Sequence, residues 1–232
     1  MEKITIVKVG GAVVEDEAQL TQLLKDFAAI EGKKVLVHGG GRRATKVAAA
    51  LGIESKMVNG RRITDADMLE VVTMVYGGLV NKNLVARLQA AGVNALGLTG
   101  ADIDVIRSHK RPINAGITPV MAPLTHDGQG HILNTNADTI AGETAKALAP
   151  YYDVTLIYSF EKKGVLSNPD DDNSVISEIT REDFERYKAD GTVAGGMIPK
   201  LDNAFDAIDA GVKRVIITLA TAIDGQHGTV IR

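Results

Sequence analysis

From one end of the chain to the other, continuous apolar runs alternate with segments of helical periodicity. Residues 4–9 are mostly β-branched and apolar, as in a strand buried on both faces. Leu20, Leu23, Leu24, Phe27 and Ala28 then recur at i, i+3, i+4, i+7 and i+8, the stripe of a helix covering a sheet. Asp16 and Gln19 read as the capping pair that starts it. The alternation continues with a strand over 35–37, a helix over 44–51 and a small hairpin over 57–63 around Asn59-Gly60. Thr64 and Asp67 cap a helix with Met68, Val72, Val75 and Leu79 on one face, and another helix spans 84–91. Strands are expected over 95–98, 103–107, 117–121 and 129–133, then a helix from Asn136 to Leu148. A strand over 154–158, helices capped by Thr180/Asp183 and over 197–210, and strands over 215–219 and 229–231 close the chain. Strands separated by helices make βαβ units, so the expected fold is α/β, a three-layer αβα sandwich with a mainly parallel central sheet. We read one compact domain of two lobes.

Open α/β sheets take ligands beyond the carboxyl ends of their strands. Glycine is concentrated there: Gly10-Gly11 follow the first strand and Gly39-Gly40-Gly41 the second, with further pairs at Gly77-Gly78 and Gly195-Gly196. Such clusters let a ligand approach the backbone closely, which favours a small-molecule site. Composition removes the competing classes. The 232 residues carry a net charge of −3, without the basic excess of a nucleic-acid binder. Cysteine is absent, and with it disulfides, thiolate metal sites and thiol nucleophiles. No apolar run approaches the roughly 18 residues of a spanning helix, so no membrane partner and a reduced, cytoplasmic setting are expected.

One segment breaks the pattern. Ala-Gly punctuation precedes a strand at Ala91-Gly92, Ala115-Gly116 and Ala210-Gly211. An amphipathic helix leads into the first and third, where glycine is the helix stop, but none leads into Ala115. A parallel crossover takes roughly a dozen residues or more, and the connection over 108–116 is shorter. The orphaned stop favours a lost helix, with a gap near 111–115, over an antiparallel hairpin.

Neither G-x-x-x-x-G-K-[ST] nor G-x-G-x-x-G at a strand–helix turn occurs. Two lysines stand beside glycine loops instead: Lys8 before Gly10-Gly11, and Lys200 after Gly195-Gly196. Phosphoryl transfer needs charge neutralised on the transferring and leaving phosphates, and glycine turns supply donors without bulk. Pro199 suits the first turn of a helix, which puts Lys200 at the helix's positive end, where an anion should compensate it. Alone, Lys8 reads as a strand-end lysine and Lys200 as a surface lysine. The run Asn134-Thr135-Asn136-Ala137-Asp138 reads alone as an N-cap. His38 reads as a satisfied junction histidine, the five histidines lack metal spacing, and Asp170-Asp171-Asp172 reads as a solvated turn. Arg61-Arg62 could be solvated charge, yet a guanidinium suits a substrate carboxylate.

Together, VKVGG (7–11), VHGGG (37–41), NGRRIT (59–64), LNTNAD (133–138) and GGMIPK (195–200) resemble the amino-acid kinase family, in its order and across nearly the whole chain. The resemblance implies the amino-acid kinase fold, with a substrate lobe over about 1–150 and a nucleotide lobe over about 151–232. It implies transfer of the γ-phosphate of ATP to the side-chain carboxylate of N-acetyl-L-glutamate in arginine biosynthesis, or of another N-acylglutamate such as the succinyl form. Mg2+ would be bound through the nucleotide phosphates. Lys8 then resembles the lysine on the transferring phosphoryl group, Lys200 the lysine on the leaving side, and Asp138 the carboxylate that orients both. Gly40 and Gly41 resemble the loop donating N–H groups to substrate, and Arg62 and Asn134 the residues holding its α-carboxylate and amide. Gly10, Gly11, Glu161, Gly164 and Gly196 fall to the nucleotide.

Two departures stand out. The family's T-D-V-x-G-V stretch is Phe160-Glu161-Lys162-Lys163-Gly164-Val165 here, and a second hairpin strand and a helix are missing between Arg107 and Ile117. Arginine-inhibited members carry a helix ahead of the first strand. With the first strand beginning at Ile4, the expectation is a homodimer insensitive to arginine. A uridylate or carbamate kinase is the rival within the family, and a nucleotide-binding regulator or storage shell the rival outside catalysis.

Overall fold

The computed structural model describes residues 1–58, 61–102 and 116–232. The Asn59-Gly60 turn, the strand expected over 103–107 and the gap near 111–115 lie outside the described residues.

The chain runs β1 (Glu2–Val9), α1 (Gly11–Glu15), α2 (Glu17–Ala29), β2 (Lys33–His38), α3 (Gly41–Ala50), β3 (Met57–Val58), β4 (Arg61–Arg62) and α4 (Ala66–Val72). A π-helical segment, Thr73–Val80, leads into α5 (Asn81–Ala90), β5 (Ala95–Leu98), β6 (Thr118–Met121), β7 (Leu124–His126) and β8 (Ile132–Asn134). Then come α6 (Ala137–Leu148), β9 (Tyr152–Phe160), β10 (Glu178–Ile179), α7 (Arg181–Asp190), α8 (Met197–Asp209), β11 (Arg214–Leu219) and β12 (Thr229–Ile231). One eight-stranded sheet has the order β10-β12-β11-β9-β1-β2-β6-β5, and every neighbouring pair is parallel except β11 with β12. Two small antiparallel hairpins, β3–β4 and β7–β8, stand apart from it.

The period of two along β1 builds the three layers. Val7 and Val9 pack into a core with Leu23 and Phe27 of α2, Ala44 and Ala48 of α3 and Leu84 and Leu88 of α5. Ile4 and Ile6 turn to the other face, against Ile140 of α6, Phe184 of α7 and Leu201 and Phe205 of α8. The central strands are therefore apolar on both faces, which is why their sequences run as continuous apolar stretches.

The local signals resolve as follows. Asp16 accepts from Ala18 and Gln19 N–H groups while Gln19 Nε2 returns to its carboxylate, and Thr180 with Asp183 forms a full capping box. The cap expected at Thr64 belongs to Asp65, whose carboxylate accepts from Met68 N–H at 2.9 Å. Leu79, expected in the core stripe, is exposed, while Tyr76 and Val80 are buried. The wider π turn shifts the phase of the stripe after Val75, and a periodicity of 3.6 cannot anticipate it. β7 and β10 are short pairings without an alternating pattern of their own, and the sequence did not announce them. Gly92, Gly116 and Gly211, the three Ala-Gly positions, all have positive φ.

Candidate active site

The register of the three central strands decides where the site lies. Lys8 sits beside Val37 and Tyr158, and Val9 beside His38 and Ser159, so β2, β1 and β9 end level. The Gly10-Gly11 turn, the Gly39–Gly41 loop and Phe160-Glu161 therefore emerge side by side. Gly39 N–H donates to Val9 O at 2.9 Å, and a Cβ on Gly39 would stand 3.0 Å from Gly11 N. The two glycine turns are pressed together. A Cβ on Gly11 would lie 3.4 Å from Gly41 N and 3.5 Å from Gly40 N, and one on Gly40 would strike the Tyr76 ring at 2.7 Å. Helix α3 starts at Gly41, three residues before the apolar stripe announced it, so the loop's N–H groups are first-turn donors without helical acceptors. Main-chain donors on a backbone without side chains suit an oxyanion.

Strand alternation puts Lys8 on the face of Ile4 and Ile6, beneath α6 and α8. There Lys8 Nζ lies 2.7 Å from Asp138 Oδ1, and Lys200 Nζ donates to Asp138 Oδ2 at 3.2 Å. Asn136 is the cap of α6, its Oδ1 accepting from Asp138 and Thr139 N–H groups, which leaves the Asp138 carboxylate for the lysines. Thus Asn136 alone serves the cap, and Asp138 is the anion that the position of Lys200 requires. The side chains are only 11%, 18% and 13% exposed for Lys8, Asp138 and Lys200, so water screens them weakly. Two ammonium groups against one carboxylate leave one uncompensated positive charge in a poorly solvated place. An arriving anion removes that cost.

Burial alone would raise the Asp138 carboxyl, but Lys8 and Lys200 outweigh it and hold the group below its ordinary value. Burial and the neighbouring Lys8 charge lower Lys200, against the pull of Asp138. The rings of Tyr158 and Phe160, each 5.5 Å from Lys200 Nζ, steady the charged form. On its expected role Lys200 must be protonated to neutralise phosphate, so kcat/KM for the nucleotide, which reports the free enzyme, should fall on the alkaline side at a pH below the ordinary lysine value of 10.5. A kcat/KM–pH profile checks this, and Lys200→Arg should move the fall to higher pH in any enzyme that survives the change.

Arg62 on β4 closes the other side. Its Nη2 donates to Gly41 O at 2.9 Å and to Thr45 Oγ1 at 2.8 Å, and its Nη1 donates to Ser55 Oγ. Asn134, at the end of β8, donates from Nδ2 to Thr64 Oγ1 at 3.0 Å. The β3–β4 and β7–β8 hairpins are thereby brought together beside the glycine loop.

The residues expected on the nucleotide side have varied surroundings. Gly10 is the N-cap of α1, and Gly196 that of α8. Gly164 has a packing reason as well, since a Cβ there would stand 2.7 Å from Thr229 Oγ1. Glu161 is exposed and paired with Arg42 of α3 at 2.9 Å across the strand ends. In water such a pair adds about 0–1 kcal/mol. Tyr76, Arg42 and Asn81 were not singled out from the sequence, and Thr64 was expected only as a helix cap. Only Tyr76 carried a usable signal, as an aromatic residue directly before a glycine pair. Among the described residues no group of three or more His, Asp or Glu is placed to hold a metal ion, and no helix is long and apolar enough to cross a membrane.

Three comparisons bear on this arrangement. The family described as the amino acid kinase family matches residues 3–219. An acetylglutamate kinase of Bacteroides thetaiotaomicron is 66% identical over 254 aligned positions that cover 100% of this chain and 99% of the relative. Those positions exceed the 232 residues here by 22, so at least that many in the relative have no counterpart. The smu.665 protein of Streptococcus mutans superposes with a TM-score of 0.75 at 28% identity, covering 98% of each chain. An N-acetylglutamate synthase of Neisseria gonorrhoeae shares the fold, with a TM-score of 0.77 at 20% identity over 98% of this chain and 59% of its own.

Proposed function

The chain belongs to the amino acid kinase family, and we propose that it transfers the γ-phosphoryl group of ATP to the side-chain carboxylate of N-acetyl-L-glutamate, as acetylglutamate kinases do. The observation that supports the reaction class is the buried trio of Lys8, Asp138 and Lys200 beside two abutting glycine turns.

The nucleophile arrives as an anion, so the protein needs no general base. A carboxylate oxygen of the substrate forms a bond to the γ-phosphorus while the bond from that phosphorus to the β,γ-bridging oxygen breaks. The electron pair leaves on ADP, and no proton moves. Lys8 neutralises the transferring group and Lys200 the leaving phosphate, with Asp138 keeping the two ammonium groups in place. The N–H groups of Gly40 and Gly41 hold the oxygens of the acceptor and the γ-phosphate, and Gly10 and Gly11 let the phosphates approach. Arg62 takes the α-carboxylate and Asn134 the amide. Glu161, Gly164 and Gly196 border the nucleotide, with the acceptor half over about 1–150 and the nucleotide half over about 151–232. Mg2+ would be held through the phosphates of the nucleotide, where it would neutralise their charge, since the central carboxylate is already committed to both lysines. We further propose a cytoplasmic homodimer, which light scattering would test and a monomer would refute.

ADP formation from ATP with N-acetylglutamate tests the activity. Carbamate, uridylate and N-succinylglutamate serve as rival acceptors, and turnover of one of these in place of N-acetylglutamate would overturn the assignment. Arg62→Ala should raise the KM for N-acetylglutamate about tenfold or more, the value of a charge-assisted bidentate contact, while the KM for ATP stays within about twofold. Equal effects on both substrates would move Arg62 to the nucleotide side.

A further inference from the structure

Behind the glycine loop lies a buried polar pair that the mechanism above leaves unused. His38 and Asn81 are both fully buried. Asn81 Nδ2 donates to Val120 O at 2.9 Å and to His38 Nε2 at 3.1 Å, which occupies both of its hydrogens. The Val120 carbonyl accepts only, so the amide has this orientation and no other. His38 Nε2 is therefore an acceptor, and its Nδ1–H donates to the carbonyl of Gly39 at 2.9 Å. Asn81 has no room to shift, because it lies flush against β5, where a Cβ on Gly97 would meet its Oδ1. It is also the first residue after the π-helical segment whose Tyr76 covers Gly40.

The consequence follows from peptide geometry. In a trans peptide the C=O and the next N–H point in opposite directions. Fixing the Gly39 carbonyl on the imidazole therefore aims the Gly40 N–H away from it, on the side where Gly40 N and Gly41 N face Gly11. We propose that His38 and Asn81 are positioning residues: Asn81 sets the tautomer and tilt of the His38 ring, and the ring, through the Gly39 carbonyl, aims the Gly40 N–H at the reacting oxyanion. This rests on the kinase reading for the identity of the oxyanion, and on the hydrogen-bond geometry alone for the aim of the amide.

A pair of substitutions separates this role from the filling of a buried space. His38→Asn keeps a donor where Nδ1 stands but loses the reach to Asn81, whereas His38→Gln keeps the reach and loses the donor to Gly39. We expect His38→Asn to retain kcat within about threefold and His38→Gln to lose about 10- to 100-fold, less than the roughly 10²–10³-fold of deleting an oxyanion donor outright. The KM for ATP should stay within about twofold in both. A better Gln than Asn variant, equal losses, or a loss confined to the ATP KM would overturn the proposal. Two readouts do not depend on turnover. Long-range proton–nitrogen spectra of the unaltered protein should show the Nδ1–H tautomer at His38, and the Gly40 amide resonance should move in His38→Gln and hold in His38→Asn. An Nε2–H tautomer would refute the proposal even in an active enzyme. Failure of the unaltered protein to phosphorylate N-acetylglutamate, with both spectra as expected, would refute the kinase reading and leave the positioning role standing.

Discussion

Replacing Lys8 or Lys200 by alanine is expected to lower kcat by about 100-fold or more while the KM for N-acetylglutamate changes only a few-fold. On the proposed mechanism each ammonium faces charge that shifts during transfer, so it matters more in the transition state than in the ground state. Weak screening at this depth makes each worth more than a surface lysine would be. Steady-state kinetics of the two variants decide the matter. A Lys200 variant with nearly full turnover would end the assignment of two lysines to two phosphates.

Asp138→Ala should damage the fold as well as the reaction. It leaves two ammonium groups buried together without their carboxylate, and breaking a buried pair in this way costs about 3–5 kcal/mol. For a chain of this size that corresponds to a drop in Tm on the order of 10 °C. The sign of the pH dependence distinguishes this from a lost packing contact. Without Asp138, Lys200 loses the group that raises its pKa, so its folded value falls further below that of the unfolded chain. Between those two values the unfolded state binds more protons, and the variant's stability should recover as pH rises toward the ordinary lysine value. A Tm–pH series checks this, and a deficit that stays constant from neutral to alkaline pH would contradict it. In the unaltered protein the depressed Asp138 contributes stability that is complete above the ordinary carboxylate value and is lost only as pH falls through its folded value.

Much of this was legible in the chain. The apolar runs gave the central strands, because strands buried on both faces leave no polar alternation to misread. Asp16–Gln19 and Thr180–Asp183 marked helix starts because their partners are three residues away. The candidate site was legible where it depended on strand ends, since the structure brings together Lys8, the glycine turns, and Lys200 with an anion beside it. Contacts made across the fold left no local trace. Asp65 and Thr64 are both acceptable caps, and what separates them is Asn134, seventy residues away, which engages the Thr64 hydroxyl. The π-helical segment has the composition of an ordinary helix, and its irregular turn is visible only in which side chains it buries. Glu161, read as a departure from the family's nucleotide stretch, meets Arg42 through a contact that spans 119 positions.

The abutting glycine turns also limit how a chain like this can diversify. Where function is carried by main-chain amides, there is no side chain to exchange, and at Gly39 and Gly40 backbone or ring atoms crowd the place of a first carbon. Mutation can abolish such a centre but can scarcely retune it. On the proposed roles, a change of acceptor would be written at the rim, in the two hairpins that carry Arg62 and Asn134, and at Arg62 it would also have to replace the donor to the Gly41 carbonyl. The chemistry is inherited whole, and the vocabulary of substrates is left to the periphery.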